Sequence, residues 1–216
     1  MMVRDFQRPF SLPDGATEVV LVRHGSAVRA DDAMLLDGHN DPPLSPAGIA
    51  QAAAVAARLG TVDVGALFVT PLRRTAQTAA PLAERLGHPP RVVADLREVH
   101  LGDREAGFNP QVLRPDPLAA RLFDEGRWDV IPNAEDMDSF GERVRRGVAH
   151  VADATGPDAT GVAIIHAGVI AEACRQVTGS QAFAFLYAEN GSLTRLLRLA
   201  SGRWTLRSFN DTAHLD

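Results

Sequence analysis

Glu18-Val19-Val20-Leu21-Val22-Arg23-His24-Gly25 is an unbroken apolar and β-branched run that ends on a basic pair and a glycine. Apolar residues without polar alternation predict a strand covered on both faces, hence a central strand of a parallel sheet. Gly161-Val162-Ala163-Ile164-Ile165 has the same character and ends on His166-Ala167-Gly168. Outward from these two runs, Ser45-Pro46 supplies an N-cap and a proline for a helix over 47–59, which Gly60 stops. Residues 66–70 form a short strand, and Thr70-Pro71 repeats the cap-then-proline signal for a helix to about Leu86, closed by Gly87. A third strand is expected at 91–94, helices at 139–154 and 169–178, and two closing strands at 193–199 and 204–209 around Ser201-Gly202. Residues 1–16 read as an irregular arm and 27–43 as a polar loop. The stretch 102–138 is proline-broken and weakly periodic.

Strands alternating with helices predict an α/β protein, a three-layer α/β/α sandwich with a mostly parallel central sheet. A length of 216 residues suits one domain over 1–216, with a small inserted cap of loops and one short helix at about 102–138. Hydrophobic residues at 45% and charged residues at 23% match an ordinary globular chain. A net charge of -5 without like-charge blocks argues against nucleic acid and membrane surfaces as partners. All 22 basic residues are arginine, so an anion site must be built from Arg, His or backbone N–H groups. The single cysteine, Cys174, excludes an internal disulfide and reads as a small buried residue. No signal peptide and no run of ~20 apolar residues is visible, which makes a cytoplasmic protein the expectation.

In open α/β sheets ligands bind beyond the carboxyl ends of the strands, and both central runs end there in histidine. A neutral imidazole can attack phosphorus and form a phosphohistidine. Arg23 beside it offers planar, bidentate donors to phosphoryl oxygens, and Gly25 permits close backbone approach. Taken alone, Arg23-His24-Gly25 is equally a turn histidine beside a surface arginine. Thr70-Pro71-Leu72-Arg73-Arg74-Thr75 places arginines in the first turn of a helix, where N–H groups favour anions; alone it is also a solvated basic turn. His166 in isolation reads as a satisfied core histidine.

Together and in this order, these segments resemble the histidine phosphatase superfamily, the phosphoglycerate-mutase-like group, over nearly the whole chain from Val19 to Leu215. Leu21-Val22-Arg23-His24-Gly25 is similar to its signature, Pro43-Leu44-Ser45-Pro46-Ala47-Gly48 to its first-helix segment, and Thr70 to Thr78 to its second arginine segment, which singles out Arg74 over Arg73. Leu96-Arg97-Glu98 with Gly102 resembles the acid–base segment, Ile165-His166-Ala167-Gly168 the second-histidine segment, and Asn210-Asp211-Thr212-Ala213-His214-Leu215 a common ending. The resemblance implies a metal-independent phosphomonoester hydrolase with no cofactor. His24 is the implied nucleophile. Arg23, Arg74 and His166 hold a phosphate or sulfate anion, or the phosphoryl group of a small substrate, and Glu98 is the acid–base group.

Two family contacts are replaced by Ala27 and Ala30, and Ser26, Arg29, His39 and Asn40 are the candidates to stand in. Ala134-Glu135-Asp136 lacks the glycine usual before the glutamate and has Asp136 for the usual serine. Ser26 and His100 complete the expected substrate contacts; His100, Asp103, Arg104 and Glu105 read either as the pocket mouth or as solvated loop charges. Trp128 and Phe108 read as cap-folding residues, with contact to an organic leaving group as the other reading. His88 and His150 read as surface or packing residues. A phosphoglycerate-type mutase is the alternative reaction, and a non-catalytic phosphate-binding module is the reading from another class. Substrate identity and oligomeric state are not written in the sequence.

Overall fold

The structure, a computed structural model, describes residues 9–29, 34–105 and 117–215. The readings made for residues 1–8, Ala30, Phe108 and the prolines at 110 and 115 lie outside them. The chain forms eight strands and five helices among the described residues: β1 Thr17–Arg23, β2 Leu35–Leu36, β3 His39–Asn40, α1 Pro46–Leu59, β4 Val64–Val69, α2 Arg73–Leu86, β5 Arg91–Val92, α3 Pro117–Glu125, α4 Met137–Thr155, β6 Ala159–Ile165, α5 Ala167–Thr178, β7 Leu193–Arg198 and β8 Trp204–Asp211. Six strands make one sheet in the order β5-β4-β6-β1-β7-β8. The first four run parallel, while β7 and β8 are antiparallel additions.

Both faces of β1 are buried, as its unbroken apolar run requires. Val20 and Val22 pack with Val55, Ala56 and Leu59 of α1 and with Ala79 and Leu82 of α2. Val19 and Leu21 point the other way, into Phe140, Val144 and Val148 of α4 and Val169, Ile170 and Ala173 of α5. The alternation of side chains along a strand thus gives each helix layer its own core. Leu122, Trp128 and Ile131, from the expected cap, belong to the second of these cores. The Trp128 ring lies 4.7 Å from that of Phe183, so this tryptophan has a packing role. Cys174 is fully buried, and burial pushes its thiol up to about 12.

Ser45 caps α1 as its sequence predicts, accepting the Gly48 N–H at 3.1 Å. Thr70-Pro71 does not cap α2. That helix begins at Arg73, Leu72 holds the cap position, and no local side chain caps it. Asp41 does so from a distance, accepting the Arg73 N–H at 2.6 Å. The expected loop 27–43 also contains structure, with β2 and β3 paired in a short hairpin and Ala27 bridging Leu44. Helix α4 starts two residues earlier than expected, because Asp136 accepts the Ser139 N–H at 2.9 Å and is its cap. His88 is half-buried and His150 exposed, the latter edge-on to Phe68 at 6.4 Å. Among the described residues no helix is long and apolar enough to cross a membrane.

Candidate active site

Three adjacent parallel strands end at one level. Arg23 stands opposite Ile165, and Val69 opposite Ile164. His24, His166 and Thr70 therefore leave β1, β6 and β4 side by side. The His24 N–H donates to the Ile165 carbonyl at 2.9 Å, and the two imidazoles lie 5.1 Å apart, inclined by 61°. The next turn is tight enough to demand glycine twice over. A Cβ on Gly25 would sit 2.5 Å from the Gly48 carbonyl oxygen, and one on Gly48 would collide with the Ser26 backbone.

Hydrogen bonding sets the tautomer of His24. The Gly25 carbonyl can only accept, so Nδ1, 2.8 Å away, carries the proton. The Arg74 Nε–H can only donate, so His24 Nε2, at 3.2 Å, presents its lone pair. Burial, reinforced by the charges of Arg74 and Arg23, holds this imidazole well below its usual value of 6.5. The ring is accordingly neutral. Arg74, the second residue of α2, also donates from Nη1 to the Asn40 carbonyl at 2.5 Å. Arg23 donates from Nη1 to the Ala188 carbonyl at 2.6 Å, and its buried Nε has no partner among the described residues. Burial lowers both guanidinium pKa values. Their hydrogen-bond partners among the described residues are carbonyls and a neutral imidazole, and carboxylates act on them only through space, Glu98 and Glu189 on Arg23 and Glu98, Asp41 and Glu105 on Arg74.

His166 is fully buried at the cap position of α5. Its Nε2 meets the Thr70 hydroxyl at 3.0 Å, while Nδ1 has no partner among the described residues. Burial, then Arg74, holds it well below 6.5. Glu98 arrives from the turn after β5. One carboxylate oxygen accepts the Val99 N–H at 3.1 Å and the other the Gly168 N–H at 3.3 Å. Gly168 leaves room for it, since a Cβ there would lie 2.7 Å from Oε1. Burial raises the Glu98 pKa above the usual carboxylate value, despite the two N–H groups and the nearby arginines.

His24, Arg74 and His166 are thus brought together, with Arg23 held by the Ala188 carbonyl and Glu98 beside the start of α5. Ser26 and His100 have other contacts. The Ser26 N–H donates to Gln51 at 2.8 Å and its carbonyl accepts from Ser45, which ties the loop to α1. His100 sits edge-on to His39 at 5.0 Å and accepts the Gly102 N–H at 3.1 Å. Asn40 serves by its carbonyl, holding an arginine rather than an anion. Sequence reasoning missed Thr78, whose hydroxyl accepts the Gly25 N–H at 2.9 Å and donates to the Arg74 carbonyl at 2.7 Å. It also missed Asn190, which donates to the His24 carbonyl at 2.9 Å. Asn190-Gly191 is a visible turn signal, but nothing local places that turn against β1. His214 and Asn210 of the closing motif brace it, through the Gly191 carbonyl at 3.0 Å and the Glu189 N–H at 2.7 Å. No group of three His, Cys, Asp or Glu among the described residues is placed to hold a metal ion.

Comparison with known proteins gives a consistent set of likenesses. A sequence model of the histidine phosphatase superfamily (branch 1) matches residues 19–212. Phosphoglycerate mutase-like protein 4 of Arabidopsis thaliana is 30% identical, over 92% of this chain and 87% of its own length. The metal-independent phosphoserine phosphatase of the same plant is 27% identical, over 92% and 83%. Among solved structures, a mycobacterial glucosyl-3-phosphoglycerate phosphatase superimposes with a TM-score of 0.73 at 29% identity, covering 91% of this chain and all of its own; it has also been solved with inorganic phosphate and with VO3.

Proposed function

The chain belongs to the histidine phosphatase superfamily, and on that premise we propose that it is a metal-independent phosphomonoester hydrolase acting through a phosphohistidine on His24. The observation that carries this reading is the His24 Nε2 lone pair, fixed by the Gly25 carbonyl on the far side of the ring and aimed at a guanidinium that has no carboxylate hydrogen-bond partner among the described residues. A phosphoryl dianion entering there takes up the Arg74 Nε–H, completes the charge balance of Arg23 and Arg74, and can accept the free His166 Nδ1–H while Thr70 holds Nε2.

Attack by Nε2 forms the N–P bond as the bond from phosphorus to the leaving oxygen breaks. Glu98, kept protonated to higher pH by burial, passes its proton to that oxygen and the alcohol leaves. The resulting carboxylate takes a proton from water as the water oxygen attacks phosphorus. The N–P bond then breaks, phosphate departs, and Glu98 is an acid again. Stabilisation of the phosphoryl oxygens by preorganised donors supplies the larger share of rate enhancement in such a site.

Rapid quenching at alkaline pH of enzyme mixed with labelled phosphomonoester is expected to trap acid-labile phosphate on the protein. The label is absent in His24→Ala. A label that survives that substitution overturns the assignment. Likeness to the phosphoglycerate mutase-like relative keeps phosphomutase as a second reading. Product analysis separates the two, because a hydrolase releases inorganic phosphate and a mutase returns an isomeric phosphoester.

A further inference from the structure

We propose that Arg143 of α4 is the positioning residue for Glu98, and that the Arg143–Glu135 pair sets how well the protein expels poor leaving groups; this rests on the general-acid reading of Glu98. The chain leaves β5 after only two residues, Arg91 and Val92. After the Val93 N–H, which donates to the Val69 carbonyl at 2.8 Å, the stretch to Glu98 has no ladder partner, and its partly buried carbonyls need donors. Arg143 supplies them from one side chain. Nη1 donates to the Asp95 carbonyl at 2.9 Å and the Arg97 carbonyl at 2.5 Å, and Nη2 to the Glu98 carbonyl at 3.0 Å. Nε and Nη2 also form a bidentate pair with Glu135, at 2.6 and 2.7 Å. Burial pushes the Glu135 carboxyl up, but the Arg143 hydrogen bonds and charge more than reverse this, so it stays ionised.

Packing around the guanidinium holds it in place. It lies 4.8 Å over the Phe140 ring, and only 14% of the side chain is exposed. One turn further along α4, Gly147 gives space to Leu96, whose Cδ2 would be 2.6 Å from a Cβ on that glycine. The turn over Ala94–Leu96 is therefore seated on α4 by an apolar contact and clamped to it by the Arg143 hydrogen bonds. A lysine has neither the reach in three directions nor the planar fork to replace this arginine. The clamp grips main-chain atoms up to Glu98 and, among the described residues, makes no hydrogen bond to His24, Arg74 or His166, reaching His166 only by its charge, the last of several causes acting on that ring. Its loss should move the proton donor while the phosphoryl pocket stays intact. It also gives the altered Ala134-Glu135-Asp136 segment two duties: Asp136 caps α4, and Glu135 orients Arg143.

The test compares kcat/KM for β-glycerophosphate, whose alkoxide needs a proton, with that for p-nitrophenyl phosphate, whose phenolate does not. Displacement of a catalytic group by about 1 Å costs on the order of a hundredfold. Arg143→Ala is expected to lower the β-glycerophosphate value by about tenfold to a hundredfold and the aryl value less than about threefold. Vanadate inhibition should be unchanged. Guanidinium added to Arg143→Ala is expected to restore part of the alkyl activity, and adding Glu98→Gln to Arg143→Ala should cost little more, because the two act as one unit. Glu135→Gln, which keeps the shape and loses the charge, should shift the alkyl-to-aryl ratio the same way by a smaller factor, and it carries the test should Arg143→Ala not fold. Equal loss on both substrates in the Arg143 and Glu135 variants, with Glu98→Gln still selective, overturns the positioning role. If Glu98→Gln itself slows both substrates equally, the general-acid reading fails and the Arg143 proposal falls with it.

Discussion

At the amino end of β1, Glu18 accepts from Arg195 at 3.0 Å and from Arg207 at 2.7 Å. At the carboxyl end of the same strand, Arg23 and Arg74 donate to the Ala188 and Asn40 carbonyls and to a neutral imidazole. The amino end also has a cavity of about 630 Å3 lined by Glu18, Arg58, Arg195, Arg207 and Asp211, with the Phe10 ring 3.7 Å from the Arg207 guanidinium. The two ends differ in how their guanidiniums are paired. Where a protein carboxylate already sits between the guanidiniums, the ion pair is internal and structural. At the other end no carboxylate among the described residues forms an ion pair with Arg23 or Arg74, and the imidazole next to them is kept unprotonated by burial first and by their charge second.

Substitutions at the two ends should separate along these lines. The largest expected effect is at the carboxyl end. Arg74→Ala should lower kcat/KM by about 10²–10³ for alkyl and aryl phosphates alike, the scale for losing one oxyanion donor, with a smaller loss of stability than at the amino end, because hydrogen bonds to Asn40 and His24 are lost but no ion pair is broken. Steady-state kinetics showing less than about a tenfold loss would break the comparison. At the amino end, Glu18→Ala leaves two guanidiniums facing each other, one of them largely buried. Removal of one partner from a buried pair costs about 3 kcal/mol. Urea midpoints should fall accordingly, while kcat/KM below the melting transition stays at the parent value.

The pH profile sharpens the contrast. His24 must be neutral, and burial lowers its pKa, so activity is lost only as pH falls through a value below 6.5. Glu98 must be protonated, and burial raises its pKa above 4.5, so activity is lost as pH rises through that raised value. On an alkyl phosphate, kcat/KM should decline by about tenfold per pH unit beyond the alkaline limb, and that limb should vanish with an aryl phosphate or in Glu98→Gln. An alkaline limb common to both substrates would assign it to a different group. The smallest effect is expected for Arg58→Ala. The pair of Arg58 with Asp211 spans 3.9 Å, and the arginine side chain is 45% exposed. Exposed pairs of this kind contribute about 0.5 kcal/mol or less, and a larger shift in urea midpoint would show that the amino-end network extends to α1.

Much of the fold was legible because its signals are local. Continuous apolar runs marked β1 and β6 as central strands, Ser45-Pro46 marked the start of α1, and Gly87 closes α2 in a left-handed conformation that suits a residue without a side chain. Arg23, His24, Arg74, Glu98 and His166 were legible through the order of their motifs rather than through any one of them. Thr70 misled. Its hydroxyl looks like a helix cap beside Pro71, yet it faces Thr75 and His166, because β4 ends beside β6 and the hydroxyl finds a buried partner there before the helix begins. The β2–β3 hairpin went unseen for a related reason: its strands are two residues each, too short for any periodicity.

By itself the sequence determined which segments are strands or helices, which strands lie deep in the sheet, and that histidine and arginine stand at strand and helix ends. These depend on the conformational preferences and burial of near neighbours in the chain, which composition and spacing record. Tertiary structure alone decided that β6 inserts between β4 and β1, so that His166 meets both His24 and Thr70. Only there did Asp41 become the cap of α2, Asn190 a support for His24, and Arg143 the clamp on the Glu98 segment. Each of those contacts joins residues far apart in sequence. Each is selected by the requirement that buried polar groups find partners once the sheet and its two helix layers have closed, a requirement that exists only in the folded molecule.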